Sequence, residues 1–69
     1  MKIVKRMDKK MCHANACPAI MKDEKGNIII IGTDVTNEIE NLSEYNAGCA
    51  AHERIVSIPQ SVFDSIFNN

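Results

Sequence analysis

The sequence predicts a small α+β domain, in which an antiparallel sheet of three or four strands is built around one β-hairpin and packs against a C-terminal helix. Two isoleucine-rich runs on either side of a charged turn predict the hairpin, and an apolar stripe at helical spacing near the C-terminus predicts the helix. The chain has 69 residues, enough for a single small domain, residues 1–69. Because a core of this size contributes about 3 to 5 kcal/mol of net stability, the fold is predicted to need a further staple.

The hairpin is predicted from the apolar runs 17–21 and 27–31 and the polar segment between them. That segment, Lys22 to Gly26, carries charged turn residues and a glycine that can adopt a positive φ. Ile28 to Ile31 form a run of four β-branched residues, which predicts a strand that needs cover on both faces. One face is expected to meet the domain core and the other a helix or a partner.

The first ten residues form a basic arm, residues 1–10, in an otherwise acidic chain. Five basic residues against one acidic residue give the arm a net charge of +4, so that the whole-chain charge of −1 leaves −5 for the remainder. The weak alternation from Lys2 to Met7 predicts either an edge strand or a flexible arm. The arm could contact phosphate or an acidic protein surface, or offset the negative charge of a metal–thiolate site, and we favour the offset. Its basic residues are Lys2, Lys5, Arg6, Lys9 and Lys10.

The central segment predicts a short acidic helix. Thr33 to Thr36 offers side chains that can cap a helix, and apolar residues then recur at three-residue spacing among glutamates. These apolar residues are Ile39, Leu42 and Tyr45. Asn46 to Gly48 is expected to end the helix and to lead into Cys49.

The C-terminal segment predicts a strand followed by a helix. Arg54 to Ile58 alternates as a strand does, and Pro59 suits the first position of a helix. A helix that packs on the sheet accounts for the apolar segments of the chain. Its apolar stripe, which we expect to lie in the core, consists of Val62, Phe63, Ile66 and Phe67.

The soft metal ligands are concentrated in two short clusters that lie far apart in the sequence. Cys12, His13 and Cys17 form the first cluster, and Cys49 and His52 form the second. Zinc prefers four tetrahedral nitrogen or sulfur ligands, so these spacings predict a structural zinc site. The predicted ligands are Cys12, Cys17, Cys49 and His52, with His13 as an alternative fourth donor. One helical turn would bring Cys49 and His52 to the same side, with two small alanines between them.

Two other interpretations of the cysteines stay open. Three reduced cysteines, of which Cys17 is buried as a small apolar side chain, need no metal. Four soft ligands also suit an iron–sulfur cluster, which makes a thiol or iron–sulfur redox protein one alternative function. The sequence has no Cys-x-x-Cys motif, glycine-rich phosphate loop or Ser-His-Asp arrangement, and we therefore expect a protein that is not an enzyme.

The composition favours a cytoplasmic protein. Three cysteines cannot all pair within one chain, and the first residues contain no apolar run of signal-peptide length. No segment approaches the ~20 apolar residues that span a bilayer, so no membrane partner is expected.

A family resemblance rests on short segments of the chain. These are Cys17-Pro18-Ala19-Ile20, the polar turn to Gly26, the strand from Asn27 to Gly32, and Ile55-Val56-Ser57-Ile58-Pro59-Gln60-Ser61-Val62-Phe63. They resemble a group of very small, uncharacterised bacterial proteins, best known from actinobacteria and commonly encoded beside helix-turn-helix regulators. The resemblance covers residues 17–67 and implies an accessory or regulatory role. The basic arm and an insertion at residues 46–52 depart from the group, so the resemblance does not bear on the metal ligands.

We therefore predict a small zinc-binding, non-enzymatic protein-interaction or regulatory accessory module. Its partner is expected to be a protein, such as a helix-turn-helix regulator, and a homo-oligomer is a further option. The leading alternative is a DNA-binding regulator that uses the basic arm. That alternative is less favoured because the arm has no interleaved aromatic residue to stack on a base.

Overall fold

The structure, a computed structural model of the chain, describes residues 1–9 and 17–67. It confirms the predicted α+β class, with an antiparallel sheet and a short C-terminal helix. The strands form two sheets, a three-stranded sheet β1–β2–β3 and a two-stranded sheet β4–β5. The elements in chain order are β1 (Ile3–Arg6), β2 (Ala19–Asp23), β3 (Ile28–Ile31), β4 (Thr33–Asp34), a first 3₁₀ helix (Leu42–Tyr45), β5 (Val56–Ser57), α1 (Gln60–Asp64) and a second 3₁₀ helix (Ser65–Phe67).

β2 is the central strand of the larger sheet and pairs antiparallel with both of its neighbours. Lys22 in β2 lies opposite Ile28 in β3 and opposite Lys5 in β1. The predicted hairpin is therefore confirmed. The basic arm contributes an edge strand, which is one of the two conformations that its alternation predicts.

The hairpin turn is organised by the carboxylate of Asp23, which is buried. Its Oδ1 accepts hydrogen bonds from the backbone N–H of Lys25 at 2.9 Å and of Asn27 at 2.8 Å. Burial acts to raise the pKa of Asp23, but the hydrogen bonds from Asn27 and Lys25 outweigh it, and the pKa lies below its ordinary value. Gly26 has a φ of 88°, a left-handed conformation that suits glycine, as the sequence predicts.

A second buried carboxylate, that of Asp8, lies just after β1. Its Oδ1 accepts from Arg6 Nε at 2.9 Å and from the backbone N–H of Ile20 at 3.0 Å, and its Oδ2 accepts from an Arg6 guanidinium nitrogen at 3.1 Å. The hydrogen bond from Arg6 lowers the pKa of Asp8 against the opposing effect of burial. Asp8 thus satisfies a buried donor of the central strand with a charge-assisted network.

The small sheet closes the base of a long loop, residues 37–54. Thr33 lies opposite Ser57, and the hydroxyl of Thr36 accepts the backbone N–H of Ile55 at 2.9 Å. Gly32 joins β3 to β4 and lies close to the segment that contains Ser57. A β-carbon at Gly32 would lie 2.5 Å from the carbonyl oxygen of Ser57, so a larger residue does not fit without movement of the backbone.

The core is small. Among the described residues, the buried apolar side chains are Ala19, Ile20 and Val62. Ala19 and Ile20 are consecutive in β2 and point to opposite faces, so both faces of the sheet are covered at this position. Helix α1 carries Val62 and contacts β2.

The predicted apolar stripe of the C-terminal helix is only partly in this core, and the prediction that all of it is buried is wrong. Val62 is fully buried and Ile66 is half-buried, but Phe63 and Phe67 are 49% and 67% exposed. The two phenyl rings contact each other edge to face, with centroids 5.5 Å apart. The helix α1 has five residues, Gln60–Asp64, and is too short to turn the whole stripe towards one sheet.

The predicted acidic helix is correct only in its last part, because Thr33 and Asp34 form β4 and the helical residues are limited to the 3₁₀ helix Leu42–Tyr45, which contains Glu44. The polar side chains that were expected to cap a helix make local turn and strand contacts instead. Asp34 Oδ1 accepts the backbone N–H of Thr36 at 3.0 Å, while the Thr36 hydroxyl bonds to the chain that leads into β5. Asn46, with a φ of 54°, ends the 3₁₀ helix where the sequence predicts an end.

The close approach at Gly32 yields a stability prediction. We expect Gly32→Ala to lower the free energy of unfolding by about 1 to 3 kcal/mol, because the added methyl group must displace the backbone of Ser57. Urea denaturation followed by circular dichroism measures the change. Gly48→Ala is the matched control, since a β-carbon at Gly48 meets no atom within 4 Å. Equal stability of the two variants would contradict the close approach of Gly32 to Ser57.

The two buried carboxylates yield a prediction for acid pH. The pKa values of Asp8 and Asp23 are lowered in the folded chain, so their stabilising contribution is complete above the unfolded value of about 3.9 and is lost as the pH falls through the folded values. We expect the free energy of unfolding, measured by urea denaturation below about pH 5, to fall less steeply in Asp8→Asn and Asp23→Asn than in the parent chain. Asp64→Asn, the same substitution at an exposed position in α1, is the control.

Candidate functional site

Some of the predicted zinc ligands lie within the residues that the structure describes, and others do not. Cys12 and the alternative donor His13 lie outside the described residues. Cys17 is disulfide-bonded, Cys49 is a half-buried free thiol, and His52 is exposed. A sulfur atom in a disulfide is not a thiolate, so Cys17 can serve as a zinc ligand only in the reduced chain.

The Cys49 to His52 segment does not form the helical turn that its spacing suggests. The backbone N–H of Glu53 donates to the carbonyl oxygen of Ala50 at 2.9 Å, and the Glu53 carboxylate accepts the N–H of Ala50 at 2.9 Å. These bonds form a β-turn over residues 50–53, and Cys49 precedes it. Cys49 Sγ lies 3.7 Å from the carbonyl oxygen of Ala50.

Residues 1–9 and 17–67 contain no group of three or more His, Cys, Asp or Glu side chains placed to hold a metal ion. Because Cys12 is outside these ranges, the four-ligand site of Cys12, Cys17, Cys49 and His52 stays a prediction. If zinc binds, three thiolates and one imidazole would supply a tetrahedral donor set of the structural type.

A cleft of about 390 Å³ lies between the end of β3 and the small sheet. Its volume is at the lower end of the range for small-ligand sites. The lining contains two residues with hydroxyl side chains, Thr33 and Ser57, beside apolar ones, but no acidic, basic or histidine side chain. The lining residues are Cys17, Pro18, Ile31, Gly32, Thr33, Ser57 and Pro59.

The outer edge of β3 presents backbone hydrogen-bonding groups. In an antiparallel pair, residues alternate between those bonded to the partner strand and those whose N–H and C=O groups point away. The N–H of Asp23 donates to the carbonyl oxygen of Asn27 at 3.0 Å, so Asn27 faces β2, as does every second residue after it. The backbone groups of Ile28 and Ile30 therefore point away from β2.

The opposite side of β2 supports the same alternation. The N–H of Met7 donates to the carbonyl oxygen of Ile20 at 2.7 Å, so the backbone groups of Ile20 face β1. Ile20 lies opposite Ile30, and this pair is accordingly one without backbone bonds between β2 and β3. Among the described strands, none pairs with the outer side of β3.

The side chains of this edge are apolar and exposed. Ile28 is 51% exposed and Ile30 is 45% exposed, and Ile31 is exposed as well. The strand Ile28–Ile31 carries no charge, proline or glycine, which are the features that commonly prevent an edge strand from pairing with another chain. We refer to the outward backbone groups and side chains of Ile28 and Ile30 as the β3 edge.

A row of residues crosses the sheet beside this edge. Residues directly opposite each other share a face, so Lys5, Lys22 and Ile28 form one row from β1 to β3. Two like charges directly opposite each other destabilise a sheet slightly, and both lysines are exposed. The sheet face thus combines exposed isoleucine at one edge with two adjacent cations.

The isoleucine run was the signal in the sequence for this site. Four consecutive β-branched residues predict a strand that needs cover on both faces, and the structure leaves that cover incomplete. The outward direction of individual backbone groups depends on the pairing register, which the sequence alone did not provide. The Lys5–Lys22 row depends on the same register.

Comparison with known proteins adds no assignment. No protein-family model, no curated protein and no solved structure matches the chain. Within the described part of the chain, no helix has the length and apolar character needed to cross a bilayer.

The predicted zinc site is tested by native mass spectrometry of protein purified under reducing conditions. We expect one zinc ion per chain, lost when Cys12, Cys17 or Cys49 is replaced by serine. His52→Gln should lose the ion and His13→Gln should keep it, which separates the two candidate fourth ligands. Oxidation that re-forms the disulfide of Cys17 should release the metal, because the bonded sulfur has lost its charge. Full occupancy in Cys49→Ser would contradict the four-ligand prediction.

Proposed function

We propose that the chain is a small, non-enzymatic protein-interaction module that takes up an extended protein segment at the β3 edge. The observation that carries the proposal is the combination of outward backbone groups and half-exposed side chains at Ile28 and Ile30. Backbone groups of this kind accept a strand from another chain by continuing the hydrogen-bond ladder. The adjacent isoleucines would supply the apolar contacts that such a strand needs.

A strand is the occupant whose chemistry fits this edge. The outward donors and acceptors of alternate residues repeat every two residues, about 6.6 Å along the strand. A partner strand carries matching groups at the same spacing, whereas a small ligand does not. An exposed, uncharged edge strand of β-branched residues also favours aggregation through pairing with other chains. A function in which a partner strand occupies the edge accounts for this composition. The accessory or regulatory setting of the proposal rests on the resemblance to the small bacterial proteins named above.

Zinc has a supporting role in this proposal. With few buried apolar side chains among the described residues, the domain would gain stability from an ion held by Cys12, Cys17, Cys49 and His52. That ion would tie the segment before β2 to the loop of residues 37–54 and would leave the β3 edge unchanged. The metal test therefore concerns the stability of the domain and not the position of the interaction site.

DNA binding is the second candidate, and the Lys5–Lys22 row is the observation that favours it. Two cations held opposite each other on one sheet face would gain from a phosphate between them. Arg6 contributes less to such a surface, because its guanidinium group pairs with Asp8. The net charge of −5 outside the arm also repels DNA.

The interaction proposal is tested by selection of strand-forming peptides from a random peptide library. We expect selected peptides to shift the amide resonances of Ile28 and Ile30 in the protein at low micromolar concentration. Ile30→Lys should abolish binding, because the charge disrupts the apolar contact at an edge that still folds. Ile39→Lys is the matched control, since Ile39 is 42% exposed, against 45% for Ile30, and lies outside both sheets. Peptides that bind Ile30→Lys as well as the parent would contradict the proposal.

The DNA candidate is tested by the salt dependence of binding to duplex DNA. If Lys5 and Lys22 contact phosphates, the double variant Lys5→Gln and Lys22→Gln should bind DNA more weakly. The slope of the logarithm of the affinity against the logarithm of the salt concentration should also fall, by the amount that corresponds to about two phosphate contacts. We expect little binding of the parent chain at physiological ionic strength. Tight, salt-sensitive binding that this double variant loses would favour DNA over a protein partner.

A further inference from the structure

We infer that the occupant of the β3 edge is a second copy of this chain, paired antiparallel with the first about a two-fold axis. This inference rests on the proposed function, because it names the partner for the same edge. It specifies the register of the two strands, and that register follows from the direction of the backbone groups described above.

The outward groups of Ile28 and Ile30 select one register. Two copies of an antiparallel strand can place Ile28 opposite Ile28, Ile30 opposite Ile30, or Ile28 opposite Ile30. The first two registers bring only one residue of each copy into a bonded pair, which gives two hydrogen bonds. The third forms two such pairs and four hydrogen bonds, so that every outward donor and acceptor of the strand is used. Ile29 then lies on the two-fold axis, opposite Ile29 of the other copy.

The side chains are compatible with this register. Ile28 of one copy lies beside Ile30 of the other, and the two pairs join into one apolar stripe across the middle of the assembled sheet. This contact covers the side chains that are 51% and 45% exposed in the single chain. Identical strands of isoleucine match each other in shape and polarity, which satisfies the self-complementarity that a two-fold interface requires.

The charges of the chain do not oppose the pairing. The strand Ile28–Ile31 has no charged residue, so no like charges meet across the axis. The nearest sheet cations on the same face, Lys22 and its copy, are three strand spacings apart, about 14 Å. That separation exceeds the Debye length of about 8 Å at physiological ionic strength, so their repulsion is largely screened.

The assembled sheet has a more ordinary size than the single one. Three strands in the order β1–β2–β3 become six in the order β1–β2–β3–β3–β2–β1, which lies within the usual size of a sheet. The open isoleucine edge moves to the centre, and the basic strand β1 forms both new edges. Lysine on an edge strand discourages further pairing, so the assembly stops at two copies.

The register is tested by a cysteine at the axis. In Ile29→Cys the two new thiols lie opposite each other in a non-hydrogen-bonded pair, where β-carbons are about 4.5 to 5.5 Å apart and a disulfide can form. Mild oxidation should therefore give a covalent dimer whose peptide map contains the 29–29 link. Ile31→Cys is the control, because its thiols would be separated by four residues of strand, about 13 Å, and should not link. Because both variants keep the native cysteines, which can also form disulfides, the peptide map is needed to show which residues are linked.

The assembly itself is tested by sedimentation equilibrium over a range of concentrations. We expect the parent chain and Ile39→Lys to approach twice the chain mass of 7.7 kDa, and Ile30→Lys to stay at the single-chain mass. Ile28→Pro is a second variant, since it removes one outward N–H at the first position of an edge strand, where proline is tolerated. Amide chemical-shift dispersion confirms that each variant is folded.

The outcomes separate this inference from the proposed function. A parent chain that remains at the single-chain mass, yet binds selected peptides at Ile28 and Ile30, overturns the second copy and keeps the interaction module. A dimer that forms equally well in Ile30→Lys, or that links through Ile31→Cys and not Ile29→Cys, also overturns the inference. A monomer that binds no peptide overturns both.

Discussion

β2 divides its backbone hydrogen bonds between two neighbours, and this division determines which groups the domain presents to solvent. Ile20 bonds towards β1 and Asp8, whereas Asp23 bonds towards the hairpin and β3. The buried carboxylate of Asp8 accepts the backbone N–H of Ile20 near the start of β2, and that of Asp23 accepts the N–H of Asn27 at the hairpin turn, so both ends of β2 are held by side-chain hydrogen bonds. The alternation of bonded residues in an antiparallel pair leaves the backbone groups of Ile28 and Ile30 on the outer edge. The candidate site is thus a consequence of the pairing that builds the fold.

The size of the core explains why that edge matters. A chain of 69 residues buries few apolar side chains, and the described part of this one leaves isoleucine and phenylalanine residues on its surface. Full burial of an aliphatic side chain is worth about 1.5 to 3 kcal/mol relative to full exposure, so covering half-exposed isoleucines adds a useful increment to a small domain. A partner strand would provide that cover together with backbone hydrogen bonds. Such pairing is of limited area and is expected to depend on concentration.

The sequence predicted the elements whose signals are local and missed those that depend on distant contacts. The hairpin was predictable because its turn chemistry lies within five residues and ends at Gly26, which has positive φ. The start of the acidic helix was wrong because Thr36 bonds to Ile55, nineteen positions away, and a capping signal cannot be told from a strand contact by spacing alone. The exposure of Phe63 was missed for a different reason, since a stripe at helical spacing does not state how long the helix will be. For the site, the isoleucine run indicated a need for cover, but the direction of its backbone groups required the register.

Residue-resolved hydrogen exchange of the four β3 amides tests the central claim most directly. The amides of Ile29 and Ile31 bond to β2 and should be protected at every protein concentration. Those of Ile28 and Ile30 should be protected at high concentration, where a second copy covers the edge, and should lose protection on dilution. Exchange of Ile28 and Ile30 at the rate of an unstructured peptide over the whole concentration range would contradict the account.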